Sequence, residues 1–275
     1  MTTDHGHTWN DTIAGAEKNG IAVRLDEASG GQSATVTLDR PEKRNSQTPA
    51  LWRSLAAVGR ALPGTVRVVI LRAEGKSFSA GLDRAMFNPE GIPGEVGFGG
   101  FATMADGEVD ATIAGYQEAF TWWRRNDLIS IACVQGHAIG AGFQLALGCD
   151  IRIVADDVRF CMKEPVFGLI PDLAGTKALV ELVGYSRALE IVTTTRFVEA
   201  EEALRIGLAN HVVPAAELDA AAEMVAAGII GNPRGAVTET KALLRGASGR
   251  SYDDQRAAER AAQARRFRDL AGLGD

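Results

Sequence analysis

Apolar and polar residues alternate over residues 21–26 and again over 34–38, with Ser29-Gly30-Gly31 between the two runs. Period two on either side of a glycine turn predicts a β-hairpin. The polar, proline-containing stretch 39–46 breaks the second strand, and over 48–62 Leu51, Leu55 and Val58 recur at helical spacing. Residues 66–72 form the next apolar run and lead into Ser79-Ala80-Gly81-Leu82-Asp83, a small-residue loop before a helix start. The same order recurs downstream. A β-branched strand over 128–135 passes into Gly136-His137-Ala138-Ile139-Gly140-Ala141-Gly142 and then into an apolar helical segment. A helix start of this kind presents unpartnered N–H groups and the positive end of the helix dipole, so each loop suits an anion or a developing oxyanion.

The glycine-heavy stretch 88–110 between the two loops has too few periodic apolar residues to define an element, and loops of that length are lids, binding loops or disordered segments. Residues 113–125 resume a helical pattern with Tyr116, Phe120 and Trp123 on one face, which reads as core. Residues 151–155 and 158–162 are short strands about an Asp156-Asp157 turn, and from Lys177 onward the pattern is helical except for the extended stretch 210–214. Strands thus concentrate early and helices late. We expect an α/β core over residues 21–196, a flexible lead-in over 1–20 and a helical C-terminal region over 197–275.

Composition narrows the functional classes. Of the 275 residues 46% are hydrophobic and 23% charged, as in an ordinary globular protein, and the net charge of -6 argues against nucleic acid as a principal partner. The polar start lacks a basic-then-apolar order and no stretch is apolar for the length of a membrane span, so a cytoplasmic setting without membrane contact is expected. Cys133, Cys149 and Cys161 lie in apolar surroundings without a C-x-x-C pair, which favours small buried hydrophobes over metal ligands, disulfides or nucleophiles; no metal site is expected. A dinucleotide fingerprint fails because Leu145 stands three residues after Gly142, and neither a phosphate loop nor a G-x-S-x-G elbow is present.

Four stretches in order, 38–45, 78–83, 134–142 and 197–214, resemble the enoyl-CoA hydratase/isomerase, or crotonase, superfamily. The resemblance spans nearly the whole chain from Ile21. It implies a crotonase-like α/β spiral of ββα repeats, a helical C-terminal region that trimerises, frequent hexamers, and an acyl-CoA substrate with no separate cofactor. It also implies that the backbone N–H groups of Ala80 and Ala141 receive the thioester oxygen, with Gly81, Gly140 and Gly142 allowing close approach. Lys43 and Arg44 fall where the family approaches the nucleotide, although a basic turn is equally a solvated surface. Leu82 and Asp83 follow the first loop and line the pantetheine mouth. The 88–110 segment is where acyl preference is expected to reside, and the helix over 255–270 suits a trimer contact or the rim of another subunit's active site.

The hydratases of the family use two glutamates, because adding water to a double bond requires both activating the water and delivering a proton. Here the first position is Gln144, which cannot titrate, and the second is Glu164. Glu164 is therefore the expected proton shuttle, against the alternative of a carboxylate paired with Lys163. Asp172 lies where some isomerases and thioester hydrolases of the family carry an aspartate, and the Pro171-Asp172 sequence equally suits a helix N-cap. Three readings follow: double-bond isomerisation by Glu164; hydration or thioester hydrolysis by Glu164 and Asp172, with Gln144 holding water; and acyl-CoA binding without turnover.

Overall fold

The computed structural model describes residues 4–88 and 91–272. A helix, α1 (Asp4–Glu17), precedes the hairpin β1 (Ile21–Leu25) and β2 (Ser33–Leu38); then come α2 (Pro49–Ala61), β3 (Val68–Ala73), α3 (Phe98–Phe101) and α4 (Asp106–Thr121). The middle of the chain is β4 (Ile129–Val134), β5 (His137–Ile139), α5 (Ala141–Gly148), β6 (Ile151–Ala155) and β7 (Arg159–Cys161). It continues with α6 (Gly175–Val183), α7 (Tyr185–Thr194), β8 (Val198–Glu199), α8 (Ala200–Arg205) and β9 (His211–Val213), and ends in α9 (Leu218–Ile230), α10 (Arg234–Ala247) and α11 (Tyr252–Leu270). Among the described residues no helix is long and apolar enough to cross a membrane.

Two sheets organise these elements. One has six strands in the order β1-β2-β3-β4-β6-β9, antiparallel only at the β1–β2 hairpin; the other has three, β5-β7-β8. The chain repeatedly lays a strand in the large sheet, then a strand in the small sheet, then a helix: β4-β5-α5, followed by β6-β7 and α6. An earlier turn of the same spiral runs from β3 through a bridge between Ser79 and Ala138 to a 3-10 helix over Arg84–Phe87. Each crossing from sheet to sheet makes a loop, and successive loops lie side by side.

The central strands read as unbroken apolar runs because both faces are covered. Val69, Leu71, Ala132, Val134 and Val154 share one core with Leu55, Phe143 and Phe160, while Val68, Ile70, Ile131, Cys133 and Ile153 pack against Leu218, Ala222 and Ala226 of α9. This corrects the boundary expected at residue 196. Strand β9 is the edge of the main sheet and α9 covers its second face, so the core extends through residue 230. The flexible lead-in is likewise corrected: its described part is largely α1, with Ala16 buried and Asn19 Nδ2 donating to Ser54 Oγ of α2 at 2.9 Å, while residues 1–3 lie outside the described residues. Trp9 of α1 also packs against the core, but a mostly polar helix with so few apolar contacts leaves little periodic signal.

Helix α10 is anchored by a buried charge. Lys241 Nζ donates to Asp150 Oδ2 at 2.6 Å and to the Leu128 carbonyl at 2.7 Å, and Asp150 also accepts from the Ser130 N–H at 2.9 Å. Burial lowers the Lys241 pKa against the pull of Asp150. Removing one partner strands the other, whereas replacing both removes the uncompensated charge. We expect Asp150→Ala to lower unfolding free energy by roughly 3–5 kcal/mol, and the Asp150→Leu/Lys241→Met double variant to lose clearly less, as read by urea unfolding.

Candidate active site

The loop over 79–83 is held from both sides. Towards β5, Ser79 N–H donates to His137 O at 2.9 Å and Ile139 N–H donates to Ser79 O at 3.0 Å. On the other side, Gln47 N–H donates to Gly81 O at 2.7 Å and Asp83 N–H donates to Gln47 O at 2.8 Å. Gly81 has φ +84°, and a Cβ there would lie 2.5 Å from Ile139 O and 3.6 Å from Ala141 N. The two loops therefore touch at Gly81, and only a residue without a side chain allows it.

These contacts correct the assignment of Ala80, whose N–H donates to the Arg44 carbonyl at 2.9 Å. In a planar trans peptide the N–H points opposite to the C=O. The Gly81 carbonyl faces Gln47, so the Leu82 N–H points away from it, and that N–H has no hydrogen-bond partner among the described residues. The N–H of Ala141, the first residue of α5, is unpartnered too. Among the described residues Leu82 thus carries the free donor of the first loop, and Ala141 is the first of the unpartnered N–H groups that open α5 on the second.

Behind the second loop stands Gln144, 1% exposed on α5. Its Nε2 donates to Glu164 Oε1 at 2.7 Å, and its Oε1 accepts from the N–H groups of Leu173 at 2.9 Å and Gly175 at 3.3 Å. An amide engaged in this way orients the Glu164 carboxyl and the turn into α6, and its Nε2 keeps a second hydrogen for a further acceptor. Glu164 opens a 3-10 helix over Glu164–Phe167. Its Oε1 would lie 3.2 Å from a Cβ on Gly140, whose φ is +53°, so glycine there admits the carboxyl to the second loop. The other oxygen, Oε2, is buried without a partner. Lys163 does not pair with it and lies 5.9 Å from the Phe197 ring centre instead.

Burial raises the Glu164 pKa and the Asp172 carboxylate raises it further, against hydrogen bonds that include the one from Gln144. Burial also raises Asp172. Asp172 is not the helix cap expected: α6 starts at Gly175 after Ala174 in the left-handed region, with no side-chain cap, and the Gln144 amide oxygen receives N–H groups of that turn. The Asp172 carbonyl accepts from Gln117 Nε2 of α4 at 2.6 Å. The structure therefore sets Glu164, held by Gln144, beside Gly140, with the Asp172 carboxylate near enough to act on Glu164 electrostatically.

The remaining residues fall around this centre. Gly142 packs on Ser79, where a Cβ would lie 2.7 Å from the serine carbonyl. Lys43 and Arg44 are exposed on the turn whose backbone supports Ala80. Asp83 is raised by burial, but the Ala85 N–H, the Ser46 hydroxyl and Arg40 outweigh that and hold it below its ordinary pKa. It ties the basic turn to the first loop, accepting from Ser46 Oγ at 2.9 Å. The 88–110 segment, of which 89–90 lie outside the described residues, contains α3 and the start of α4. Phe98 of α3 lies 4.6 Å from Phe87, and Phe87 lies 4.8 Å from Phe167, next to the Glu164 turn. All three cysteines are buried and free, and burial pushes Cys133 up to about 12 and raises the other two.

A spiral of strand-strand-helix turns with two touching loops at the sheet crossings defines a crotonase-type α/β protein. The family model for enoyl-CoA hydratase/isomerase matches residues 30–271, and the chain belongs to that family. The chain is 34% identical over 223 residues to the short-chain-enoyl-CoA hydratase of Clostridium acetobutylicum, covering 78% of each chain. It is 32% identical over 225 residues to the carnitinyl-CoA dehydratase of Salmonella enteritidis, covering 79% of this chain and 78% of the relative. Among solved structures, a protein of Thermobifida fusca YX described as an enoyl-CoA hydratase and solved with CoA superposes with TM-score 0.87 at 45% identity, covering 95% of this chain and 97% of that one. The same Thermobifida protein solved with acetoacetyl-CoA gives TM-score 0.87 at 45% identity over 94% and 98%.

The raised carboxyls have a stability consequence. A folded-state pKa above the unfolded value means the native chain binds more protons, so the contribution is complete below the ordinary carboxylate pKa and is lost as pH rises through the raised value. Glu164→Gln removes one such group. We expect the variant and the parent to melt together near about pH 4, and the variant to melt increasingly higher towards about pH 8, as read by thermal unfolding across pH.

Proposed function

We propose that the protein acts on an acyl-CoA thioester, stabilises its enolate through the N–H groups of Leu82 and Ala141, and moves a proton with Glu164, with double-bond isomerisation as the reaction. The observation that carries this reading is the state of the Glu164 carboxyl: one oxygen held by Gln144, the other buried and unpartnered. In a 3-enoyl thioester the carboxylate takes a proton from Cα and the electron pair spreads over a dienolate. The negative charge settles on the thioester oxygen, where each preorganised donor is worth roughly 3–4 kcal/mol. The same carboxyl returns the proton to Cγ, leaving a 2-enoyl thioester and the original carboxylate. One titrating group suffices, so an amide at position 144 is no handicap.

A second reading, hydration or thioester hydrolysis with Glu164 and Asp172 as the acid-base pair, is favoured by the electrostatic influence of Asp172 on Glu164 and by the hydratase and dehydratase names of the relatives. In either case Lys43 and Arg44 offer cationic groups for the CoA phosphates beside the first loop. The aromatic trio Phe87, Phe98 and Phe167 brings the 88–110 segment to the Glu164 turn, which supports a role in choosing the acyl group. The exposed Tyr252, Phe267 and Leu270 of α11 and Leu244 of α10 support association of copies as a trimer or a hexamer.

Purified protein is tested against 3-enoyl-, 2-enoyl-, dienoyl- and 3-hydroxyacyl-CoA. Isomerisation that falls by about 10²–10⁴-fold in Glu164→Gln and persists in Asp172→Asn is the expected outcome. Loss of hydration or hydrolysis in either variant supports the second reading, binding of every substrate without turnover supports a non-catalytic acyl-CoA protein, and a fully active Glu164→Gln contradicts the mechanism. Because Glu164 must be ionised to accept the proton and its pKa is raised, kcat/KM is expected to climb with pH on a limb above the ordinary glutamate value of about 4.3.

A further inference from the structure

We infer that Gln47 is a positioning residue for the reaction, one that sets the direction of the Leu82 N–H; this rests on the enolate reading above. Gln47 lies on the turn before α2, 35 residues from Leu82 in sequence, and is fully buried. Its backbone grips both peptide units flanking Leu82, through Gly81 O at 2.7 Å and the Asp83 N–H at 2.8 Å. The first of these bonds fixes the peptide unit that carries the Leu82 N–H. Rotation of that unit would turn the donor, so the grip on its carbonyl is what fixes the direction of the N–H.

The Gln47 side chain fixes the grip itself. Its Oε1 accepts from Trp52 Nε1 of α2 at 2.8 Å, and its Nε2 donates to Ser79 Oγ at 3.1 Å. Ser79 Oγ in turn donates to the Asn45 carbonyl at 2.7 Å and accepts from the Gly81 N–H at 3.2 Å. Trp52, Gln47 and Ser79 are all buried. The result is a closed chain of hydrogen bonds from helix α2 to both sides of the first loop, in which every polar group of the Gln47 side chain has a role that an apolar residue cannot fill. A buried amide without such partners is destabilising, so the partners and the amide belong together. The same segment carries Lys43 and Arg44, so the network also fixes the basic turn relative to the loop.

The test uses acetoacetyl-CoA, whose enolate absorbs in the near ultraviolet, alongside steady-state turnover of 3-enoyl-CoA. Gln47→Met retains the main-chain bonds and side-chain length and removes both side-chain hydrogen bonds; Ser79→Ala removes the other end of the link. Trp123→Phe, in the core, serves as a control for lost stability. We expect both loop variants to weaken the enolate band and to lower kcat on the order of tenfold with KM within about twofold, a fraction of the loss from deleting a donor outright. The control keeps band and kcat at a comparable loss of Tm. Folded Gln47→Met and Ser79→Ala proteins with the parent's band and kcat overturn the inference, as do losses that merely track Tm in all three variants. If the parent protein itself neither enolises acetoacetyl-CoA nor turns over an enoyl-CoA, the enolate reading falls and this inference falls with it.

Discussion

The contact between the 79–83 loop and the 139–142 loop is the constraint on which the site depends. Gly81 lets the Ile139 carbonyl come so close that any side chain would separate the loops, and Gly142 does the same against Ser79. Both loops arise where the chain leaves a strand for the next part of the spiral, so the parallel pairing of β3 with β4 brings them side by side. The unpartnered N–H groups of Leu82 and Ala141 follow from this arrangement. The neighbouring peptide units of the first loop are held by Gln47, and electrostatic stabilisation of a developing oxyanion requires donors fixed in this manner before the reaction begins.

Gln144 connects the second loop to the acid-base machinery. In one residue it joins helix α5, the Glu164 carboxyl and the turn leading into α6. Replacing a carboxyl by an amide here removes a titrating group and supplies a donor to Glu164. It also avoids placing two carboxylates within hydrogen-bond distance, which would have driven one of them to hold a proton. Asp172 remains as a second acid close enough to influence Glu164, and its own carboxyl is raised by burial.

Much of this was legible in the sequence, and the limits have physical causes. The hairpin, α2 and the central strands show in the periodicity, and Gln144 stands out against the glutamate that the family resemblance implies after the second loop. Sequence alone does not separate Ala80 from Leu82, because the choice depends on which way a peptide unit faces, and that is decided by Arg44 and Gln47, far away in sequence. Asp172 looked like a cap because local sequence could not reveal that the Gln144 amide fills that role. Strand β9 and helix α9 were assigned to an appendage because the strand is three residues long and only the register with β6 shows it to be a sheet edge. The network through Gln47, Ser79 and Trp52 left one sign: a polar glutamine and a serine among residues destined for burial.

Transfer of a label within the substrate tests the single-carboxyl shuttle most directly. A 3-enoyl-CoA carrying deuterium at Cα is turned over in ordinary water, and the product is examined for deuterium at Cγ. A buried carboxyl that takes the proton and returns it before exchanging with solvent predicts measurable label at Cγ of the 2-enoyl product. Complete replacement by solvent hydrogen at every rate of turnover, with no label at Cγ, would contradict the account.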